Sequence, residues 1–373
     1  MDWKFLNGGS TRKKRHQMLA VDLGARTTKA VVLEWRGGAL ALTHYALMDA
    51  PIYETKLPPE MLSSHLRSVS EAMGGRTKSV ALALGLDDTV VRQVELPQIP
   101  VDEMRLVLKN NSKAYLQQDL RDHVFDCHVF PAKPAAPRTA AAEARNPAGI
   151  TKLKVLAAGA KQQLVDEYQQ AIKDAGLIPE SIVPGLVGPL NAFEMAMPQV
   201  FANDSVALMD IGFKHSTICV LDRGELALTR VVNIGGHKLT EGLAGALNIS
   251  YAEAEGLKVG MAPKGTEEAD IIAFQTQLTA FGAQVAPLGR ELRASLDFFE
   301  HQQDRPVTQV FISGGAARSE VFLDTLRAEM VAECKTWNPA EFLKLDMPAQ
   351  QADEMEQVRS QLSVAIGAAL AAF

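Results

Sequence analysis

The chain has 373 residues, 47% of them hydrophobic and 22% charged, with a formal net charge of −6. That is the make-up of a soluble globular protein, long enough for two or so domains and a large core. The acidic balance argues against holding nucleic acid by neutralising phosphates across the whole surface. Three scattered cysteines, Cys127, Cys219 and Cys334, lack metal-ligand spacing, and no cleavable signal precedes them, so reduced buried thiols in a cytosolic protein are expected. The longest apolar run, Val364 to Phe373, is about half of what crosses a bilayer, and no membrane span is expected.

Residues 1–17 are polar and carry Arg12-Lys13-Lys14-Arg15-His16 after Trp3, Phe5 and Leu6. This basic arm with aromatic anchors reads as a frayed terminus in preference to a weak membrane-surface contact. Residues 18–34 predict strand, tight turn, strand, and Arg36-Gly37-Gly38 predicts a hairpin into a third strand near 39–45. Another apolar, β-suited run covers 79–86. The segment Glu95-Leu96-Pro97-Gln98-Ile99-Pro100 is a stiff extended connector, because each proline fixes its own backbone and biases its predecessor away from helix. A helix is expected over 101–120, with Asp102 placed to cap it. Residues 131–149 hold four prolines and many alanines with little periodicity, the pattern of an insertion or exposed loop. A strand at 153–158 and a helix at 163–175, with Leu164, Tyr168, Ile172 and Ala175 at helical spacing, close a small subdomain of roughly 94–182.

The opening plan then recurs. Leu19-Ala20-Val21-Asp22-Leu23-Gly24-Ala25-Arg26-Thr27-Thr28-Lys29-Ala30-Val31-Val32-Leu33 is matched by Ala207-Leu208-Met209-Asp210-Ile211-Gly212-Phe213-Lys214-His215-Ser216-Thr217-Ile218-Cys219-Val220-Leu221, with the aspartates 188 residues apart. Leu40-Ala41-Leu42-Thr43 recurs as Leu226-Ala227-Leu228-Thr229 once the intervening hairpin is shortened by two residues, so the halves are read as a duplication. After Gly235-Gly236 come short helices at 240–247 and 251–259, the latter opened by Ser250 and Glu253 in capping-box spacing. A long helix over 270–301 has a kink expected at Pro287, a buried strand covers 307–313, and helices at 319–333 and 355–372 finish the chain.

Each acidic turn suits phosphate. Gly24 lets the backbone approach a ligand, Ala25, Thr27 and Thr28 offer N–H groups and hydroxyls, and Lys29 adds a mobile positive charge. Asp22 and Asp210 would repel phosphate, so their natural task is to hold one Mg²⁺ through water from opposite sides. A lone Asp-x-Gly turn is an ordinary β-turn; the pairing is what points to a site. Phe311-Ile312-Ser313-Gly314-Gly315-Ala316-Ala317 runs a strand into two glycines that leave bare backbone for a base or ribose. Glu255 and Lys258 lie three apart on one helical face, as a surface ion pair or as a contact to ribose hydroxyls.

In order, these elements resemble the actin-like ATPase superfamily, with sugar kinases and heat-shock ATPases among its members. Asp22 to Lys29 matches the first phosphate loop, Asp210 to Thr217 the second, and Gly314 to Ala317 the adenosine motif. Within it the chain most resembles the PilM family of type IV pilus assembly proteins, with FtsA of cell division next. The features shared with PilM are Leu96-Pro97-x-Ile99-Pro100-x-x-Glu103, the strand and helix over 155–176, Ile234-Gly235-Gly236-x-x-Leu239-Thr240, Ala254-Glu255-x-x-Lys258, and Ala365-Ile366-Gly367-Ala368-Ala369-Leu370.

The resemblance implies an α/β, two-lobed actin-like ATPase fold, a duplicated ribonuclease H-like unit with an inserted small α/β subdomain. The expected division is a basic arm at 1–17; a first-lobe core at 18–93 completed by 183–205 and 345–373; an insert at 94–182; a second-lobe core at 206–232 and 302–344; and an outer subdomain at 233–301. It further implies ATP and Mg²⁺ held by Asp22, Gly24, Ala25, Arg26, Thr27, Thr28, Lys29, Asp210, Gly212, Phe213, Lys214, His215, Ser216, Gly235, Gly236, Glu255, Lys258, Gly314, Gly315 and Ala316. The implied role is a cytoplasmic scaffold, peripheral at the inner membrane, that holds the cytoplasmic N-terminal peptide of a single-span PilN-like protein. Self-association stays open, and no nucleic-acid partner is expected.

Some positions depart from the family. Bulky Phe213 could crowd the terminal phosphate while Lys214 attracts it, and Pro184 stands where an aspartate is usual. In the linker over 181–194 only Asn191 and Glu194 offer polar atoms for positioning water, neither a convincing base. Binding of nucleotide is thus better supported than its turnover. An FtsA-like division protein would carry a C-terminal amphipathic helix beyond the core, and the chain stops inside the expected last helix. A small-molecule kinase would need an aspartate poised between the lobes.

Overall fold

The computed structural model describes residues 15–130, 152–262, 265 and 267–373. Most of the basic arm and the proline-rich stretch therefore lie outside the described residues. In chain order the strands are β1 Gln17–Leu23, β2 Thr27–Arg36, β3 Ala39–Asp49, β4 Ser79–Leu84, β5 Thr89–Pro97, β6 His123–Val129, β7 Lys152–Lys161, β8 Ile178–Pro184, β9 Ser205–Ile211, β10 Ser216–Asp222, β11 Glu225–Val232, β12 Gln309–Gly314, β13 Glu333–Thr336 and β14 Lys344–Leu345. They form three sheets, in the orders β14-β3-β2-β1-β4-β8, β11-β10-β9-β12-β13 and β5-β7-β6.

The first two sheets repeat one plan. An antiparallel hairpin, β1 with β2 and β9 with β10, pairs in parallel with a later strand, β4 or β12. Central strands such as Met18-Leu19-Ala20-Val21 are buried on both faces, as a sheet covered by helices on two sides requires. Short β14, joined only to β3, is the one addition to the first sheet.

The first lobe packs Leu62, Leu66 and Val69 of the helix Pro59–Ala72 with Val165, Tyr168 and Ile172 of the helix Gln162–Asp174 against its sheet. The second lobe packs Phe281, Val285, Leu288 and Leu292 of the helix Glu268–Gln303 against Met209, Ile218 and Ile312. That helix continues through Pro287, where the spacing predicts a kink. The helix Tyr251–Gly260 carries the expected capping box, with the Ser250 side chain accepting from the Glu253 amide.

The third sheet has a separate small core of Leu96, Met104, Leu108, Leu116, Phe125 and Val155. Its first strand β5 crosses the boundary expected at 94, while the helix Gln162–Asp174 and β8 belong to the first lobe's packing, so the insert's own core ends with β7. The helix expected over 101–120 breaks at Asn111 into Val101–Asn110 and Ser112–Leu116, and Pro100, not Asp102, is its N-cap. The insert also touches the second lobe: Gln93 Nε2 donates to the Leu226 carbonyl at 3.0 Å.

The lobes are joined by two helices in close contact, Val187–Ala196 and Ser363–Leu370. A Cβ added at Gly367 would lie 1.8 Å from the Gly188 carbonyl oxygen, so the backbones meet where no side chain fits. Phe193 then reaches the second lobe, its ring 4.8 Å from that of Phe311. No helix among the described residues is long and apolar enough to cross a membrane.

Candidate functional site between the lobes

Both acidic residues sit at the same place in their sheets. Asp22 pairs with Lys29 on β2 and Ala83 on β4; Asp210 pairs with Thr217 on β10 and Ser313 on β12. Lys29 Nζ donates to Asp22 Oδ2 at 3.0 Å. Asp210 Oδ1 accepts from Ser313 Oγ at 2.7 Å and from Ser363 Oγ at 3.2 Å. Burial pushes the Asp210 carboxyl up, the two hydroxyls and the Lys29 charge oppose that, and the Asp22 charge adds to it. Ser363 belongs to the helix Ser363–Leu370, whose apolar residues lie in the first lobe's core, so its bond puts the second lobe's aspartate at the border between the lobes.

The first loop is cut close. A Cβ on Gly24 would lie 2.5 Å from the Thr27 carbonyl oxygen and 2.6 Å from Lys29 Nζ, which leaves bare backbone under the lysine. Gly314 ends β12 at φ +92°, and a Cβ there would meet the Ile211 carbonyl oxygen at 2.3 Å, so only glycine fits the adenosine motif's entry. Ala25 and Arg26 are exposed at the tip of the loop, Gly315 is exposed and Ala316 is half-buried. Two carboxylates beside bare backbone and a lysine suit a magnesium nucleotide, because Mg²⁺ keeps its waters and takes much of its shell from phosphate.

Other expected ligands are occupied by protein. Thr28 Oγ1 is 2.8 Å from His65 Nε2, and burial lowers the His65 pKa, which favours a neutral ring; Thr27, one residue earlier, points to the opposite face. Ser216 is fully buried and donates to the Ile234 carbonyl at 2.6 Å. Lys258, 9% exposed, donates to the Gly236 carbonyl at 3.1 Å, to Thr240 Oγ1 at 2.7 Å and to Glu255 Oε2 at 2.7 Å. Burial lowers the Lys258 pKa, and Glu255 limits the fall. The pair, read from sequence as a surface ion pair or a contact to ribose hydroxyls, is a clip with a buried lysine that fastens the helix Tyr251–Gly260 to the turn at Gly236.

The second loop is tied at its tip. Gly212 N–H donates to the His215 carbonyl at 3.0 Å, Gly236 N–H to the Gly212 carbonyl at 2.9 Å and His237 N–H to the Phe213 carbonyl at 2.9 Å. Lys214 is exposed. A Cβ on Gly235 would fall 2.4 Å from the Phe213 carbonyl oxygen, which explains the first glycine of the pair. Phe213 packs on His237, ring centroids 5.0 Å apart.

Two contacts join the loops to the opposite lobe. Arg26 Nη1 lies 2.8 Å from Glu255 Oε1, and its guanidinium sits over the Phe213 ring at 5.5 Å. His215 Nε2 lies 2.9 Å from Asp87 Oδ1, in the short turn Leu86–Asp88 after β4. The neighbouring Asp88 lines a cavity of about 30 Å³ with Gly24, Thr28, Tyr53 and Tyr168, room for a water molecule. Burial pushes the Asp88 carboxyl up, reinforced by Asp87 and opposed by Lys161, Lys214 and Lys56.

Of the two candidates for positioning water, Asn191 is engaged with the last helix and Glu194 faces solvent. Asn191 is 4% exposed, with Nδ2 donating to the Gly367 carbonyl at 3.2 Å in the helix contact. Glu194 is exposed, about 10 Å along the helix from its start after β8. Sequence reasoning missed Ser313, Ser363, Asp87 and Asp88. Ser313 stood inside the quoted Gly-Gly motif, and its place beside Asp210 follows once β12 is paired with β9; the others depend on long-range packing.

Comparison with known proteins matches this architecture. The sequence profile of the family described as Type IV pilus assembly protein PilM matches residues 20–373. Among solved structures, the chain is similar to the PilM-PilN type IV pilus biogenesis complex, with a TM-score of 0.77 and 20% identity over 95% of this chain and 98% of that one. It is also similar to the ethanolamine utilization protein EutJ from Carboxydothermus hydrogenoformans, with a TM-score of 0.51 and 16% identity over 96% of this chain and 90% of that one. The cell division protein FtsA of Bacillus subtilis (strain 168) is 40% identical over 70 residues, 19% of this chain; the match spans 16% of that protein's length.

Proposed function

Because the chain belongs to the PilM family of type IV pilus assembly proteins, we propose that it is an actin-like, ATP-binding scaffold of an inner-membrane pilus assembly platform. It closes two lobes on one magnesium nucleotide and grips the cytoplasmic N-terminal peptide of a PilN-like membrane protein. What supports this reading is that Asp22 and Asp210 stand at the same place in two like sheets, with Lys29 on the first carboxylate and Ser363, from a helix whose apolar residues lie in the first lobe's core, on the second. Bound nucleotide would lie over Gly24 and Lys29, with Asp22 and Asp210 holding the metal's water shell and Gly314, Gly315 and Ala316 beside the base. When bound, Mg²⁺ would offset charge on the phosphates. Lys29 orients the first carboxylate, and Ser313 and Ser363 orient the second.

A place for the peptide is suggested by exposed apolar surface on the first lobe, beside the helix that follows the insert. Ile52 is 93% exposed, and its neighbour Tyr53, 42% exposed, lines a small cavity with Tyr168 of the helix that follows the insert. An extended peptide with apolar side chains suits such a strip. The chain would work at the cytoplasmic face of the inner membrane, held there by its partner.

Calorimetric titration with Mg-ATP tests the nucleotide site: the wild type binds and Asp210→Ala does not, while both keep the same far-ultraviolet spectrum. Capture of the protein by an immobilised PilN-like N-terminal peptide tests the partner. A second reading, a division protein, is favoured by the FtsA match over 70 residues. Loss of pilus assembly with normal septation in a deletion strain separates the two.

A further inference from the structure

A cavity of about 370 Å³ opens on the first lobe between the end of the helix Pro59–Ala72 and the strands β1, β2 and β3. It lies at the start of β1, beside Gln17, about 17 Å along that strand from Asp22, and so apart from the cleft. Val32 and Met73, both buried, give it an apolar floor. Around that floor stand polar groups that the fold leaves unused. Among the described residues, no hydrogen bond or ion pair engages the side chains of Gln17, Arg76 or Thr77. His44 adds a directed group. Thr43 Oγ1 donates to the Val32 carbonyl at 3.4 Å, so it accepts from His44 Nδ1 at 3.0 Å. In the neutral ring Nε2 then carries a lone pair, and it lies beside Gly74, where an added Cβ would come within 3.8 Å of it.

The charges sort in the same way. Glu34 and Arg36 hold each other at 2.8 Å, and Arg36 also pairs with Asp346, which leaves Arg76 as the unmatched cation of the lining. The carbonyls at the helix end are taken up, because the Gly74 and Gly75 N–H groups close on Glu71 and Ser70 at 3.0 and 2.8 Å. We propose that this cavity binds a small phosphorylated polyol. Its phosphate meets the Arg76 fork, one hydroxyl donates to His44 Nε2, and others bond to Gln17 and Thr77. Its carbon chain lies on Val32 and Met73. A bare anion would leave the His44 lone pair unmatched, and a neutral sugar would leave the guanidinium unmatched; one molecule with both groups satisfies the lining. The cavity is of the size that holds a small ligand. A free glycerol or sugar phosphate and a phosphoglycerol lipid headgroup share this chemistry. The proposal is independent of nucleotide binding.

Calorimetric titration of the full chain at about pH 8, above the range where imidazole titrates, uses glycerol 3-phosphate and inorganic phosphate. Arg76→Ala is expected to weaken both by about tenfold or more. His44→Phe weakens glycerol 3-phosphate about fivefold and leaves inorganic phosphate unchanged, since only the hydroxyl uses Nε2. In protein labelled at its methionine methyls, glycerol 3-phosphate shifts the Met73 signal and leaves that of Met209, beside Asp210 in the cleft, in place. Sedimentation with phosphatidylglycerol or phosphatidylcholine vesicles separates the two sources. Pelleting with the former alone, lost in Arg76→Ala and without a response to the free compound, assigns the headgroup; a response to the free compound without pelleting assigns a metabolite. No response to glycerol 3-phosphate together with no Arg76-dependent pelleting, or binding that both variants leave unchanged, overturns the proposal. A shift at Met209 in place of Met73 overturns it too.

Discussion

The two acidic turns share a backbone and differ in everything around it. At the position that pairs with Asp22 on the hairpin's second strand stands Lys29; at the matching position beside Asp210 stands Thr217. On the parallel strand Ala83 faces the first aspartate and Ser313 the second. The first carboxylate thus has a cation, while the second has hydroxyls and a burial that pushes it up. The loops diverge the same way: the first presents Arg26 at an exposed tip, and the second is laced to Gly236 and His237 by backbone bonds. The difference teaches that duplication preserved the strand frame and divided the work, one turn carrying mobile positive charge and the other a fixed floor.

That contrast can be broken most severely at Gly314. Gly314→Ala places a Cβ 2.3 Å from the Ile211 carbonyl oxygen at a positive φ and should cost about 3 kcal/mol in denaturant unfolding, with loss of nucleotide binding. Gly315→Ala, whose added carbon meets only the Gln361 side chain at 3.8 Å, should be nearly neutral, and equal losses would refute the account. Next comes the exchange of partners. Lys29→Ala leaves Asp22 without its cation and should cost about 1–2 kcal/mol of stability together with most nucleotide affinity, whereas Thr217→Ala should cost less on both measures.

The smallest effect concerns Asp88. Its carboxyl is pushed up by burial, so the folded state favours the protonated form. The associated stability is fully present below the unfolded value of 3.8 and is lost as pH rises through the higher folded value. Asp88→Asn should therefore raise the melting temperature at pH 7, and thermal scans should show the gain vanishing below pH 3.8.

The strands, both turns and the capping box at Ser250 were legible because each is written locally: apolar runs, Asp-x-Gly spacing, Ser and Glu three apart. The insert was legible from its connector and its own alternation, though β5 begins before the expected border, since extended sequence looks alike in either sheet. What a hydroxyl or ammonium bonds to was not legible. Ser216 serves the Ile234 carbonyl, Thr28 serves His65, and Lys258 closes a clip to Gly236, all partners at least 18 residues away. Asn191 looked like a polar group near the phosphates because nothing local told of Gly367, 176 residues on. Short edge strands β13 and β14 carry too few residues for a periodic signal.

The contact of Gly188 with the helix Ser363–Leu370 has a consequence for biosynthesis. Ala365, Ile366, Ala368 and Ala369 of that helix are part of the first lobe's core, whereas the second lobe's sheet is complete by Thr336. A ribosome thus delivers the later lobe's sheet whole while the earlier one still waits for its last helix, its apolar face open to solvent. Nascent chains stalled before residue 363 should carry a folded second lobe and a first lobe dependent on chaperones.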